Sequence, residues 1–253
     1  MSIHPTAQAG FSRVAAAYER GRPDYPQAAI GWLGTRLGLR PGRLVVDLGA
    51  GTGKLTRQLL PFGARLLAVE PVEAMVDQLR AAVPSVEVRA ATADRTGLDS
   101  GSVDAVTAGQ AFHWFSDLVT LREIHRILRP RGRLGLVWNM RDPEAPLWAE
   151  INSVLLPYEQ GEPRQRTGAW RQNLEESQLF GPIASRAFRH EQRVTRQQLL
   201  DRVLSLSFIG VLDQAAQEQL RSRILELAAE YFPDPGPPIP LLYRTEVFAC
   251  SSA

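Results

Sequence analysis

The sequence contains almost no lysine: of its 29 basic residues, Lys54 is the single lysine. No Tyr-x-x-x-Lys pair of the hydride-transfer enzymes is present. Cysteine is equally scarce. Cys250 stands alone, which excludes an internal disulfide and a CxxC metal site. The four histidines, His4, His113, His125 and His190, are scattered without ligand spacing, so no metal is expected. No run of about 18 apolar residues exists to span a membrane. The first residues lack the apolar core of a signal peptide, and the expectation is a soluble cytoplasmic protein. Excess charge is missing too. Acidic residues number 27 and the net charge is +2, with no aromatic-interleaved basic patch, so nucleic acid is not an expected partner. What remains is an ordinary globular balance, 44% hydrophobic over 253 residues, enough for one large α/β domain.

Short apolar runs alternate with helical patterns from residue 43 to about 140. Strands are expected at 43–49, 65–70, 86–91, 102–109 and 132–138, and helices at 53–60, 72–83 and 117–128. Pro61, Pro84 and Pro130 stop the helices. Strands that are apolar throughout and alternate with helices imply a parallel sheet covered on both faces. Beyond residue 140 the pattern changes. Residues 145–180 and 196–230 read as helical, with strands at 185–195 and 238–252, the last entered through the turn-rich "PDPGPP". The 145–180 segment reads as an insertion over the sheet. The whole is taken as a single domain: a helical cover at 1–42, a core at 43–140, and an insertion with the last two strands at 141–253.

The most informative stretch is "VVDLGAGTGKLT", Val45 to Thr56. A phosphate-binding GxxxxGK[ST] loop fits Gly53-Lys54 but finds Leu48 at its first glycine and Leu55 at its metal-binding hydroxyl position. A dinucleotide GxGxxG loop fits Gly49 and Gly51 but finds Lys54 where helix and strand must approach closely. The pattern DxGxGxG is matched in full by Asp47, Gly49, Gly51 and Gly53. Glycines permit positive φ and let the backbone approach a ligand. An acidic residue in the loop repels phosphate and suits a ligand with a positive amino group, of which S-adenosylmethionine is an example. Glu70 ends the second strand 23 residues after Asp47, where a carboxylate accepts hydrogen bonds from ribose hydroxyls.

With these residues in place, the sequence resembles the class I S-adenosylmethionine-dependent methyltransferases. Within them it is similar to the type 11 branch that includes trans-aconitate methyltransferase-like proteins. The resemblance runs through "FSRVAAAYERGRPDYP", "AVEPVEAMVDQL", "SVDAVTAGQAFHWF" and "REIHRILRPRGRLGLVWNMRD". It implies a Rossmann-like, doubly wound, mostly parallel seven-stranded sheet of order 3-2-1-4-5-7-6. It implies S-adenosylmethionine as cofactor, held by Asp47, Gly49, Ala50, Gly51, Gly53, Glu70, Pro71 and Met75. Thr92, Ala93 and Asp94 would bracket the adenine, although many relatives carry aspartate where Thr92 stands. Gln110 would lie near the methionine part, with His113 and Trp114 lining the reaction pocket. Tyr18 and Arg22 before the sheet, and Arg141 past the fifth strand, are the expected acceptor-side residues. A carboxylate acceptor needs no general base; for a hydroxyl, amine or carbon acid His113 is the candidate base. The acceptor is expected to be a small molecule, by family analogy a carboxylic acid, and the chain a monomer or homodimer. The alternative is a non-catalytic protein that binds the same cofactor for regulation.

Overall fold

The computed structural model describes residues 19–159, 163–234 and 236–253. Tyr18 lies outside them. The first helix lying wholly within the described residues is α1 (Gln27–Leu37), which stops where Gly38 turns left-handed at φ 66°. The alternating core follows: β1 (Leu44–Leu48), α2 (Lys54–Leu59), β2 (Arg65–Val69), α3 (Glu73–Ala82), β3 (Glu87–Arg89), β4 (Val103–Gly109), α4 (Leu118–Ile127) and β5 (Leu128–Arg141). After it come α5 (Pro146–Leu155), α6 (Ala169–Glu176), β6 (Ala184–Val194), α7 (Arg196–Leu204), α8 (Gln214–Tyr231) and β7 (Ile239–Ser251). The strands form one sheet of order β3-β2-β1-β4-β5-β7-β6. Strands β1 to β5 pair in parallel, and β7 runs antiparallel to both β5 and β6.

Side-chain alternation along the strands divides the core. Val46 and Leu48 of β1 join the cluster of Leu121, Ile124 and Trp138 on one face. Val45 joins Leu33, Leu37 and Leu59 on the other. Both faces are buried because a helix follows nearly every strand, as the continuous apolar runs anticipate. At the amino end of α4, Asp117 accepts from the Thr120 N–H at 2.9 Å and caps the helix. Among the described residues, no helix is long and apolar enough to cross a membrane.

Two expectations need correction. The strand expected at 132–138 runs over Leu128–Arg141 instead. Its register with β4 slips between Val103 and Ala105, and Arg131 takes a positive φ of 62°. Pro130 sits in that irregular stretch, where a missing N–H costs no ladder bond. At the other end β7 pairs with β5 as far as Arg141, a long-range contact that local pattern does not report. The helical material of 145–180 is not one inserted body. Trp148 and Ile151 of α5 pack with α7, α8 and the first half of β7 in a third core. Trp170 and Leu174 of α6 pack on the sheet core with Trp138.

Candidate active site

The chain order places a switch between β1, which leads out toward β2, and β4 on its other side. Ligands of open α/β sheets bind beyond the carboxyl ends of strands at such a point. Gly49, Gly51 and Gly53 all adopt positive φ, at 62°, 58° and 86°. A Cβ on Gly49 would lie 2.8 Å from the Ala111 Cβ, so this glycine is fixed by packing against the β4 loop as well as by its backbone. A Cβ on Gly51 would meet nothing within 4 Å. Close packing does not require glycine there; the left-handed backbone does, and a ligand approaching the loop would profit from it.

Asp47 is buried, and the β1–β4 register sets it beside Thr107. Its oxygens accept from Thr107 Oγ1 at 3.0 Å and from Thr56 Oγ1, on α2, at 2.6 Å. The carboxylate therefore ties the loop to the helix after it and the strand beside it. Burial pushes its pKa up to about 6 against the lowering effect of the hydroxyls. Glu70 is also buried. It accepts from the Gly51 N–H and the Val72 N–H, both at 2.9 Å, and so bridges the glycine loop to the start of α3. Burial raises it to about 7, with a further push from Asp47. Each Glu70 oxygen retains a second lone pair.

Lys54, the residue that makes the loop look like a phosphate binder, is already committed. Its ammonium lies 3.5 Å from Glu19 and 3.6 Å from Asp24. Arg57 pairs with the same two carboxylates at 2.9 and 3.0 Å, and Thr52 Oγ1 donates to Glu19 at 2.5 Å. The segment 19–26 is thus strapped across α2. It reaches the other side through Arg20, which pairs with Asp201 at 2.9 Å, and Arg22, whose Nε donates to Ser205 Oγ at 3.2 Å.

Two cavities share walls there. A water-sized gap of about 10 Å³ lies between the strap and the loop, walled by Arg22, Tyr25, Asp47, Ala50, Thr52, Lys54 and Gln110 among others. A large cavity of about 710 Å³ lies beside it, lined by residues of β5, α6 and α7 among others. Arg22 and Gln110 line both. Gln110 holds a left-handed φ of 60°, uncommon for a residue with a Cβ. It is held there by its N–H to Val137 O at 2.9 Å and its side-chain amide to Asn139 O at 3.1 Å. Strain at the carboxyl end of a central strand is typical of a functional position.

His113, Trp114 and Arg141 all line the large cavity. Trp138 Nε1, an obligate donor, points at His113 Nδ1 at 3.2 Å. Nδ1 must then be unprotonated, and the neutral ring carries its proton on Nε2. Burial, reinforced by Arg22 and Arg164, pushes the ring's pKa down to about 3. In this arrangement the one basic nitrogen of His113 accepts from Trp138 and the other is a donor, which argues against its acting as a general base. Trp138 is itself packed against Trp170 at 4.8 Å and Phe248 at 5.8 Å.

The remaining expected residues separate. Met75 is buried with Val72 in a small cluster of its own. Thr92 and Arg95 close a turn around Ala93 and Asp94. Glu70, Pro71, Met75, Thr92, Ala93 and Asp94 line neither of these cavities. Sequence reasoning did not single out Arg202, Arg164, Asn139 or Trp170, which come to the large cavity from α7, the segment before α6, β5 and α6. The only sequence signal for the two arginines is the density of arginine after residue 140, which genomic bias obscures.

Sheet order, left-handed glycine loop and acidic strand end together define the architecture of the class I S-adenosylmethionine-dependent methyltransferases. The family model described as a methyltransferase domain matches residues 46–136. An uncharacterized methyltransferase of Mycobacterium tuberculosis (strain ATCC 25618 / H37Rv) is 37% identical over 221 residues, 87% of this chain and 86% of the relative. A putative type II methyltransferase from Anaeromyxobacter dehalogenans superposes with a TM-score of 0.65 at 27% identity, over 90% of this chain and 97% of that one. The Haemonchus contortus phosphoethanolamine N-methyltransferase 2, solved with phosphomonomethylethanolamine and S-adenosylhomocysteine, shares the fold. Its TM-score is 0.60 at 16% identity, over 100% of this chain and 60% of that one. The chain belongs to the methyltransferases.

Proposed function

We propose that this methyltransferase methylates a small organic acid bound in the arginine-lined cavity. The observation that carries the reading is the junction: the gap beneath the glycine loop and the large cavity share Arg22 and Gln110. The loop's chemistry fits the donor. Its lysine is neutralised by Glu19 and Asp24, its own carboxylate is Asp47, and no free cation of the loop awaits a phosphate.

In this reading Gly49, Ala50, Gly51 and Gly53 present backbone to the cofactor. Asp47 holds the loop's shape through Thr56 and Thr107. Glu70 offers lone pairs to ribose hydroxyls, and Pro71, Met75, Thr92, Ala93 and Asp94 border the adenosine side. Gln110 marks the boundary with the acceptor. When bound, the cofactor supplies an activated methyl on a sulfonium, so a carboxylate acceptor needs alignment and exclusion of water rather than a base. Trp114 and Trp138 wall the site, and His113 donates from Nε2 to an acceptor oxygen. Arg22 and Arg141 pair with carboxylate oxygens in the forked geometry guanidinium provides.

The test is transfer of labelled methyl from S-adenosylmethionine to a panel of small di- and tricarboxylic acids. Carboxyl methyl esters hydrolyse in mild alkali, so the expected label is released as methanol. Alkali-stable product would contradict a carboxylate acceptor. Tight cofactor binding with no transfer to any member would favour the regulatory alternative.

A further inference from the structure

Arg202 on α7 is 3% exposed, yet it lines the large cavity. Its Nε donates to the Tyr243 hydroxyl at 3.2 Å, and its Nη1 is buried with no hydrogen-bond partner among the described residues. Its guanidinium lies 5.9 Å from the centres of both the Trp148 and Tyr243 rings. Arg141 approaches the same tryptophan, 5.1 Å from the ring centre, and donates to Asn152 Oδ1. The β5–β7 register pairs Arg141 with Tyr243, which brings both arginines to one corner.

Neither guanidinium has an ion-pair partner among the described residues. Among the described residues two carboxylates line the cavity, and both are engaged elsewhere: Glu159 with Arg164 and Arg166, Glu246 with Arg244. Asp201, the neighbour of Arg202, is taken by Arg20. Two like charges facing aromatic rings and an amide, one with a buried unused donor, form an incomplete electrostatic arrangement. Guanidinium stays charged, so the arrangement is not relieved by losing a proton. An oxyanion completes it, because a carboxylate or phosphate accepts forked hydrogen bonds from both groups. Arg141 and Arg202 line only the large cavity, whereas the junction with the glycine loop is marked by Arg22 and Gln110.

We propose that Arg141 and Arg202 form an oxyanion clamp for the end of the acceptor remote from the methylated atom. The acceptor then carries a carboxylate or phosphoryl group that is retained in the product. The proposal rests on the reading that the large cavity receives the acceptor, and it makes Arg202 a specificity-determining residue.

The experiment is calorimetric titration of the full chain with succinate and, separately, with inorganic phosphate, alongside S-adenosylhomocysteine on the same preparation. At least one anion is expected to bind at a single site with millimolar affinity or better, and the stronger of the two identifies a carboxylate-bearing or a phosphoryl-bearing acceptor. Arg202→Gln should weaken that binding by at least about tenfold. Arg202→Lys, which keeps charge but loses the fork, should fall between. Arg141→Gln, at a half-buried position, repeats the test without disturbing α7. S-adenosylhomocysteine binding should persist in all three, which reports that they fold. Failure of both anions to bind a protein that binds S-adenosylhomocysteine would overturn the clamp. So would unchanged anion affinity in Arg202→Gln and Arg141→Gln. Anion binding without S-adenosylhomocysteine binding would instead leave the clamp standing and sink the cofactor site.

Discussion

Replacing Glu70 with alanine is expected to weaken S-adenosylhomocysteine binding by at least about tenfold, from the loss of one or two charge-assisted hydrogen bonds. The same change removes the bridge from Gly51 to Val72, so the loop loses an anchor as well as a contact. The effect should depend on pH. Glu70 sits near 7 because it is buried, and ribose hydroxyls need acceptor oxygens. Affinity should therefore rise by about tenfold between pH 6 and pH 8 as the group ionises, and Glu70→Gln should flatten that rise. Stability of the ligand-free protein runs the other way. A carboxyl whose folded pKa is raised stabilises the fold most below its unfolded pKa, about 4.3, and loses that contribution as pH rises through about 7. Asp47 behaves likewise through about 6. A pH-independent affinity in the parent protein would contradict the role given to Glu70.

Trp138→Ala should cost about 3–5 kcal/mol of stability, the range for removing a large buried aromatic. Its ring is fully buried and meets Trp170, Phe248 and His113. Urea unfolding measures that loss directly. Trp138→Phe separates packing from hydrogen bonding, since it keeps an aromatic ring but deletes the donor to His113. In the parent protein the imidazole nitrogen resonances of His113 should report a neutral ring protonated on Nε2 throughout pH 8 to 5. In Trp138→Phe that tautomer preference should be lost. A parent His113 titrating near 6.5 would restore it as a candidate base and contradict the hydrogen bond from Trp138.

The core was legible because its signals are local. Alternating apolar runs and proline stops placed β1 to β4 and the helices between them, and DxGxGxG located three glycines that all adopt positive φ. Class and sheet order came by resemblance. Three features were not legible, each because it depends on contacts distant in the chain. The carboxyl end of β5 depends on its pairing with β7, more than 100 residues later. The His113 tautomer is set by Trp138, 25 residues away. The meeting of Arg202 with Arg141 depends on the third core, where α5, α7 and β7 converge. Lys54 offers a related lesson. Its position in the loop suggested phosphate, but its role follows from Glu19 and Asp24, acidic residues before the sheet that local spacing does not connect to it.

The central claim is that "GAGTGK" belongs to a nucleoside-amino-acid site and not to a phosphate loop. Calorimetric titration of the purified chain with S-adenosylmethionine, S-adenosylhomocysteine, NAD and ATP tests it most directly. Micromolar binding is expected for the first two and none for the others. Binding of NAD or ATP with no response to S-adenosylhomocysteine would contradict it at its first step.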